Sequence, residues 1–507
     1  MSNHLTQMTI DDEVGAAQSV PDHDGGSKGI DAFAAFLGEE DFALALYRWY
    51  GKAQVRDGLS NRLGFVGRLN QDISVIDALM AEQLQMILHH PAFQKLESAW
   101  RGLRYLTDQD GHGDGVKIKI LDVSWREISR DVSRVAAFDQ SQMFKKIYSD
   151  EFGMPGGEPI GLLVGDYEIR HRPMPDYRHD DLVTLEGLGH AAAAAFAPVI
   201  VAASPALFGL DHIADIEQPL DYDAIFSQPE YHRWRSFQKR EDARFIAVAL
   251  PRVLMRQPYD DRGHRADGFR FAEDLDADDA GNYLWANPAF AFASVAMRAF
   301  RETGWLADVR GVVPDVISSG LVTGLPLIDI ATDRPGLMLK PVTEVRIGDA
   351  IDRELTDLGF LTLSASKETG DAAFYGSSTI QTAKIYDRKI ATSNARLSAS
   401  LQHILCASRF AHYIKVLARD RIGGFLTADE LGYMLNSWIL GYCNASENIG
   451  PELSARYPLR NAGVQVKEQP GRPGNFVCRI HLEPQFQFDH VVSSVNLVTE
   501  LMQTSNA

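Results

Sequence analysis

The sequence predicts a mixed α/β protein, in which a central, largely parallel sheet lies between a helical N-terminal region and C-terminal helices with a β-hairpin. Two observations predict this class. From about residue 116, segments of strand type alternate with segments of helix type, which is the order that builds parallel sheets. Over residues 69–106, apolar residues recur at three- and four-residue spacing, which indicates amphipathic helices. A chain of 507 residues has room for more than one domain.

The composition excludes several functional classes. Lys and Arg number 50 against 68 Asp and Glu, a net charge of −18, so the chain lacks the basic excess of a sequence-blind nucleic-acid binder. Its hydrophobic content of 45% is that of a globular protein. The three cysteines are Cys406, Cys443 and Cys478. Their wide spacing excludes a disulfide framework and a CxxC zinc site, and it fits a reducing, cytoplasmic location.

The sequence predicts neither an export signal nor a membrane span. Residues 1–30 are polar, acidic and glycine-containing, and we interpret them as a flexible tail. Residues 191–210 carry no charge over a length that could span a bilayer. Pro198 and Pro205 interrupt this stretch, so it is better explained as the end of a buried helix that leads into a buried strand.

The helical region covers residues 31–115. Its first amphipathic segment, residues 30–50, packs either on its own domain or on a partner, and the sequence leaves both open. Residues 69–106 form two helices, because Pro91 interrupts the pattern and restarts it. The apolar side chains that mark this pair of helices are Ile73, Ile76, Leu84, Ile87, Leu88, Phe93, Leu96 and Trp100.

An α/β domain over residues 116–310 and a mixed domain over residues 311–507 complete the chain. In the first, the pattern predicts strands at 116–123, 160–168, 198–203 and 245–250, and helices at 126–136, 181–196 and 288–303. In the second, it predicts strands at 342–347, 360–364 and 372–377, and helices at 350–358, 394–421 and 427–442, the last capped by Thr427 with Glu430. A hairpin of residues 464–467 and 476–483 and a last strand at 491–501 follow.

Three patterns bear on catalysis and ligand binding. Residues 153–159 hold three glycines but precede a predicted strand, whereas a phosphate-binding loop follows a strand and opens a helix. His171 and His179, which share a loop with aspartates, lack the spacing of a zinc site. Cys406 lies on the apolar side of a predicted helix, and the sequence contains no GxSxG motif. We therefore expect no catalytic residue, metal or cofactor; an α/β enzyme that binds a nucleotide at residues 153–157 is the alternative.

One run of the sequence alternates aromatic rings with arginines. Residues 227–237 contain Tyr231, Arg233, Trp234, Arg235 and Phe237. Rings fill a core while arginines pair with nearby carboxylates, which predicts an internal ion-pair network. The same residue types anchor protein interfaces, which predicts contact with a partner. The sequence leaves both interpretations open.

An ordered series of motifs resembles the large subunit of the type VI secretion contractile sheath, the TssC/VipB/ImpC family. Each motif is modest alone, but their order from about residue 66 to the end of the chain is specific. The motifs are ILHHPAFQKLESAWRGL (87–103), FGMPGGEP (152–159), GDY (165–167), AASPALFGL (202–210), PEYHRWRSF (229–237), LPR (250–252), YLWAN (283–287), DLGF (357–360), SRFAHY (408–413) and ARYPLR (455–460).

The resemblance implies a structural, non-enzymatic subunit of a multi-layer contractile sheath. Members of this family pair with a small sheath subunit (TssB/VipA-like), and the pairs stack as a helical tube on a baseplate, around an inner tube of Hcp-like protein. Contraction, which drives the inner tube out of the cell, converts an extended packing into a tighter one. A phage-tail-like injection sheath is a related alternative.

The resemblance also implies roles for parts of this chain. The helices over residues 69–106 pack with the small subunit through the apolar side chains named above. The last strand, with Val491, Val492, Val495 and Leu497, joins the sheet of a neighbouring copy. Residues 452–460 face the inner tube, and residues 30–37 have the position of a helix that a ClpV-type unfoldase recognises in relatives.

Residues 1–65 depart from the usual start of the family. The string ALALYRWYG (43–51) is more similar to a second, paralogous class of large subunits, the ImpD-like class. The resemblance therefore leaves open whether the chain forms the main sheath, a mixed sheath or an accessory assembly, and whether an unfoldase recognises it.

Overall fold

A computed structural model describes thirteen stretches of the chain. They are residues 33–110, 115–154, 156–175, 177–261, 268–275, 282–313, 316–329, 339–366, 370–421, 427–446, 450–469, 476–485 and 495–501. The chain divides into two compact units, residues 1–88 with 259–274 and residues 89–258 with 275–507. The predicted tail over residues 1–30 lies outside the described residues.

The first unit is mostly helical over residues 33–88, and its described residues 259–261 and 268–274 form no helix. Its helices are α1 (Phe42–Tyr50), α2 (Lys52–Ser60) and α3 (Arg62–Leu88). Asp41 caps α1 by accepting a hydrogen bond from the backbone N–H of Ala43. At the other end of α1, the Trp49 indole donates to Asp72 at 3.3 Å, and the Tyr50 ring lies against Phe65 with ring centroids 5.3 Å apart. The second half of the predicted 30–50 segment therefore packs on its own unit.

The second unit holds the remaining elements. Its helices are α4 (Pro91–Asp110), α5 (Trp125–Arg134), α6 (Gln142–Phe144), α7 (Asp181–Ala195), α8 (Tyr222–Ser227), α9 (His232–Gln238), α10 (Pro288–Thr303), α11 (Asp349–Asp357), α12 (Lys389–Ser398), α13 (Leu401–Arg421), α14 (Ala428–Leu440) and α15 (Pro451–Arg456). Its strands are β1 (Leu163–Ile169), β2 (Val199–Ala203), β3 (Ile246–Leu250), β4 (Val253–Leu254), β5 (Trp285–Ala286), β6 (Leu321–Val322), β7 (Ile328–Asp329), β8 (Leu339–Lys340), β9 (Phe360–Thr362), β10 (Ser364–Ala365), β11 (Ala372–Ala373), β12 (Leu459–Glu468), β13 (Phe476–Pro484) and β14 (Val495–Leu501).

A four-stranded parallel sheet forms the centre of this unit, in the order β1-β2-β3-β9. Every residue of β2 and β3 is buried, because helices cover both faces of the sheet. Side chains of one strand alternate between two cores: Val201 packs with Leu185 of α7, whereas Ile200 packs with Phe292 of α10. The predicted α/β class with a largely parallel sheet is confirmed.

The predicted helix at 288–303 has the same bounds in the structure, because the sequence marks both of its ends. The Asn287 side chain accepts from the backbone N–H of Ala289, and Pro288 occupies the first helical position. Gly304 ends the helix with a φ of 79°, in the left-handed region that favours glycine.

A third core joins the C-terminal helices to an antiparallel sheet of the order β12-β13-β14. The Trp305 ring stacks on Phe410 of α13 with centroids 4.0 Å apart, and Leu435 of α14 and Ile480 of β13 are buried beside them. Helix α13 contributes to all three cores, since Leu401 lies in the core with α10 and Ile404 lies in the core with α7. Helix α14 begins as predicted, with a capping box between Thr427 and Glu430.

The predicted single helix at 394–421 is wrong: it is two helices, α12 and α13. At the break between α12 and α13, the backbone forms hydrogen bonds with residues 377–379 instead of continuing the helical pattern. The N–H of Leu401 donates to the Ser377 carbonyl at 2.6 Å, and the Ala399 carbonyl accepts from the Thr379 hydroxyl at 2.6 Å. No local residue signals this break, because it depends on contacts with residues 377–379.

Two predicted strands are also wrong. Residues 342–347 form only an isolated bridge from Thr343 to Val253, because their neighbour β4 is two residues long and also pairs with β5. Residues 116–123 form no strand with any described residue. Alternating apolar residues indicate a preference for extended backbone, but a strand exists only where a second strand lies beside it.

Candidate interaction surfaces

Helix α3 exposes large apolar side chains along its length. Val66, Ile73, Met80 and Ile87 are each between 44 and 52% exposed. Their seven-residue spacing places them on one stripe, which is the spacing of a coiled-coil seam. The stripe extends over about 30 Å of helix at 1.5 Å per residue. It is a surface that fits another helix, and we call it the α3 stripe.

The structure places the predicted helix residues of the first unit as follows. Ile73, Ile76 and Ile87 are exposed, Leu84 is half-buried, and Leu88 is buried. Leu88 therefore contributes to the packing of its own chain. The apolar residues predicted from the sequence did not include Val66, although its spacing of seven residues from Ile73 is visible in the sequence.

Helix α4 has one buried and one exposed face. Tyr105 is buried, and Gly102 lies so close to the Phe290 ring that an added Cβ would be 2.5 Å from it. On the other face, Phe93, Leu96 and Trp100 are exposed, and Trp100 retains 64% of its accessible surface. Large apolar side chains are normally buried, so their exposure here marks this face of α4 as a second apolar helix surface, in addition to the α3 stripe.

The aromatic and arginine run lies in the core of the sandwich. The rings of Tyr231, Trp234 and Phe237 are buried. Arg233 pairs with Asp180 at 2.8 Å, and Arg235 donates to the backbone carbonyls of Phe226 and Gln228. Of the two interpretations left open by the sequence, these contacts favour the internal network.

The C-terminal strand pairs within its own chain. β14 lies antiparallel to β13, with Val495 opposite Leu482 and Leu501 opposite Phe476. The predicted arm residues Val495 and Leu497 belong to β14, whereas Val491 and Val492 lie outside the described residues. β14 is the last strand of its sheet, so one of its edges is without a neighbouring strand among the described residues.

Helix α15 covers most of the segment predicted to face an inner tube. Leu453 and Tyr457 are exposed and lie four residues apart, on one side of a helical turn. The Pro458 and Leu459 that follow are buried at the start of β12. The segment therefore exposes a small apolar patch next to residues that are buried in the protein.

The glycine-rich loop has the geometry of a chain connection. A helical segment over Lys145–Gly153 ends at the loop, so carbonyl groups rather than N–H groups face it, and a phosphate is disfavoured there. Gly157 is required by packing, since a Cβ at this position would lie 2.2 Å from the Glu151 carbonyl oxygen. β1 begins after the loop, as the sequence predicts.

Asp181 and His171, from the loop whose composition suggested a metal site, are both buried inside the unit. Asp181 is buried and accepts hydrogen bonds from the Trp125 indole at 2.7 Å, the Tyr177 hydroxyl at 3.0 Å and the Arg170 backbone at 2.8 Å, while burial raises its pKa. His171 stacks on Tyr231 with centroids 4.2 Å apart. Within the described stretches, no three His, Cys, Asp or Glu residues are placed to hold a metal ion.

The three cysteines are free thiols. Burial raises the pKa of the Cys406 thiol to about 12, so it stays protonated and unreactive at neutral pH. Cys406 is therefore a core residue, which is the role that its position on the helix predicts.

Comparison with known proteins gives two family matches and a close relative. Residues 70–381 match the family model described as the EvpB/VC_A0108 tail sheath N-terminal domain. Residues 390–501 match the one described as the EvpB/VC_A0108 tail sheath gpW/gp25-like domain. The type VI secretion system sheath protein TssC1 of Pseudomonas aeruginosa is 38% identical over 438 residues, which are 86% of each chain. None of the helices in the described stretches is long and apolar enough to cross a membrane.

Proposed function

Because the chain belongs to the EvpB/VC_A0108 tail sheath family, we propose that it is the large subunit of a type VI secretion contractile sheath. In this role it pairs with a small sheath subunit and polymerises with further copies of itself around an Hcp-like inner tube. The observation that carries the proposal is the α3 stripe. Four apolar side chains at seven-residue spacing, exposed along a 27-residue helix, need a covering helix.

The small subunit is the partner that we assign to the two apolar helix surfaces. The α3 stripe takes a helix of the partner, and the exposed face of α4 with Phe93, Leu96 and Trp100 supplies aromatic anchors. Residues 31–115 are then the pairing region, residues 116–310 the α/β domain and residues 311–507 the region of sheath contacts.

Copies of the chain are linked by exchange of β14. The strand is held to β13 by main-chain pairing along residues 476–482, and the same pairing is available on the β13 of a neighbouring copy. Ten residues, 485–494, connect β13 to β14, a length that can span at most roughly 35 Å. Such a link persists when the subunits rearrange, which a contractile lattice requires.

The remaining contacts are those that the family resemblance implies. The segment over residues 452–460, in which Leu453 and Tyr457 are exposed, faces the inner tube, and one end of the sheath sits on a baseplate. The assembly works in the bacterial cytoplasm, where a ClpV-type unfoldase recycles contracted sheath if residues 30–37 serve as its recognition helix. The similarity of residues 43–51 to the ImpD-like class leaves the main sheath, a mixed sheath and an accessory assembly as the three possible settings for this subunit.

Co-expression with the candidate small subunit, followed by negative-stain electron microscopy, tests the proposal. We expect a co-purified pair and hollow tubes or cogwheel-like rings, and aggregation of the chain when it is made alone. Deletion of residues 495–507 should leave the pair intact and abolish the tubes, whereas deletion of residues 502–507, which keeps β14, should leave both. A monodisperse monomer that does not pair would contradict the proposal.

A further inference from the structure

A basic and apolar segment is exposed at residues 384–390, where the two regions that match the family models meet. Its sequence, KIYDRKI, holds three cations and one carboxylate. Ile385 is 84% exposed, Tyr386 50% and Ile390 64%. Three large apolar side chains that stay this exposed within six residues mark a contact surface, because they gain free energy when a partner buries them. We call residues 384–390 the basic knob.

The backbone of the basic knob is anchored to the second unit. The Thr392 hydroxyl accepts a hydrogen bond from the Tyr386 N–H at 2.9 Å and donates one to the Tyr386 carbonyl at 3.1 Å. Just before the knob, the Thr382 N–H donates to the carbonyl of Gln238, the last residue of α9, at 2.9 Å. A partner that binds the knob therefore does not have to order a flexible loop, which favours binding.

Two cations of the basic knob, Lys384 and Arg388, are exposed and form no ion pair with any described residue. In this they differ from Lys117, Lys119 and Arg233, which pair with carboxylates of their own chain. The chain as a whole has a net charge of −18, so a basic surface without internal partners stands apart from its surroundings. These two cations are available to carboxylates of another molecule.

An acidic surface of the same unit has the opposite character. Residues 211–223 hold five carboxylates and neither lysine nor arginine. The side chains of Asp211 and Asp223 are exposed and have no hydrogen bond or ion pair with a described residue. Leu220 is half-buried between them in the sequence. Free carboxylates together with an apolar side chain complement the cations and apolar side chains of the basic knob.

We propose that the basic knob of one copy binds the acidic surface over residues 211–223 of the next copy, and that this contact links successive subunits of the sheath. The inference rests on the proposed function, because it takes the polymer from there. It adds a contact between charged surfaces to the exchange of β14, and it names the residues that hold neighbouring copies in register.

Charge and symmetry favour a second copy over other occupants. Two chains that each carry a net charge of −18 repel each other, so a contact between them forms where a basic surface meets an acidic one. The same net charge disfavours an anionic membrane, the other common target of a basic and apolar segment. Because the knob and the acidic surface are different parts of one chain, their contact is head-to-tail and can continue through many copies, as a sheath requires.

Charge reversal in the complex with the small subunit tests the proposal. Lys384→Glu with Arg388→Glu should raise the concentration needed for tube assembly at least about 10-fold, because like charges would then face each other. Asp211→Lys with Asp223→Lys should have the same effect. All four side chains are exposed, so thermal unfolding and pairing with the small subunit should stay unchanged. Sedimentation and negative-stain electron microscopy measure the tubes.

The combination of all four reversals separates a direct contact from two independent defects. Every contact between copies would again join opposite charges, so assembly should return to within about 3-fold of the parent complex. Arg126→Glu with Arg130→Glu on α5 is the matched control for the knob variant, since it makes the same change in net charge at another exposed site. It should change assembly less than about 3-fold.

The outcomes distinguish this inference from the proposed function. Tubes that form normally after reversal of either surface, or assembly that the combination does not restore, would overturn the inference and leave the proposed function standing. An equal loss in the control variant would also overturn it, because net charge would then be responsible. Weaker pairing with the small subunit after reversal of the knob would assign the knob to that partner and overturn the contact between copies. Failure of the parent chain to pair or to form tubes would remove both.

Discussion

The central sheet and helix α3 are both apolar, but only the sheet is covered by its own chain. All residues of β2 and β3 are buried between helices on both faces. Helix α3, in contrast, leaves the large apolar side chains of its stripe exposed. The hydrophobic effect acts equally on both regions, so the difference lies in where the covering surface comes from. Among the described residues, the sheet is covered by its own chain and the α3 stripe is not, which is why the proposed function assigns the stripe to a partner.

The first test of this difference places the same substitution, valine to aspartate, in both regions. Val248→Asp in β3 should lower the free energy of unfolding by more than about 4 kcal/mol, because the carboxylate has no partner between Val201 and Phe360. Val75→Asp on the side of α3 away from the stripe should change it by less than about 0.5 kcal/mol. Thermal unfolding and the yield of the co-purified complex measure both. Similar losses in the two variants would mean that α3 is covered by its own chain.

Acid should destabilise the second unit through a buried histidine that has no counterpart in α3. His403 of α13 is fully buried, and burial, with Arg244 as a weaker cause, lowers its pKa to about 4. The unfolded chain binds a proton below pH 6.5 that the folded chain excludes, so stability is complete above pH 6.5 and falls toward pH 4. At pH 4.5 this one histidine accounts for about 2 to 3 kcal/mol. Helix α3 contains no histidine.

His403→Leu isolates this effect from the carboxylates that titrate in the same range. Leucine has a similar volume and no proton to bind, so the variant should lose about 2 to 3 kcal/mol less than the parent chain between pH 7 and pH 4.5. Thermal unfolding of the complex at the two pH values gives the difference. An equal loss in the variant would show that His403 is not held neutral by burial.

A substitution within the exposed α3 stripe tests whether this surface pairs with the small subunit. Ile73→Asp should weaken pairing with the small subunit by about 2 kcal/mol, roughly 30-fold, because the charge would be desolvated at the seam. The fold of the chain itself should not change, since Ile73 is 48% exposed. Val75→Asp is the matched control two residues away. Titration calorimetry or a pull-down series reads the affinity, and an equal effect of the two variants would argue against a seven-residue seam.

Local signals made part of the fold predictable from the sequence. The bounds of α10 follow from Asn287, Pro288 and Gly304, whose roles as cap, first residue and stop depend on neighbouring residues only. The ordered motifs predicted the sheath family, which the two family matches and the 38% identical relative confirm. The apolar period over residues 69–106 predicted α3 and α4.

Features set by distant contacts were not predictable. The break between α12 and α13 depends on hydrogen bonds to Ser377 and Thr379. Residues 116–123 have the pattern of a strand, but whether a strand lies beside them is not a local property. For the same reason, periodicity could not show that Ile73 would be exposed and Val248 buried, because it identifies apolar faces without identifying what covers them.

The smallest expected effect separates an internal residue from an interface residue in the aromatic and arginine run. Arg233→Ala should lower the free energy of unfolding by less than about 1 kcal/mol, because its ion pair with Asp180 is half exposed to solvent. Trp234→Ala, one residue away, should lower it by about 3 to 5 kcal/mol, because its ring is 1% exposed. Both variants should still form tubes where they fold. If Arg233→Ala left stability unchanged and abolished the tubes, Arg233 would contact a partner, and the run would belong with α3 among the surfaces that another chain covers.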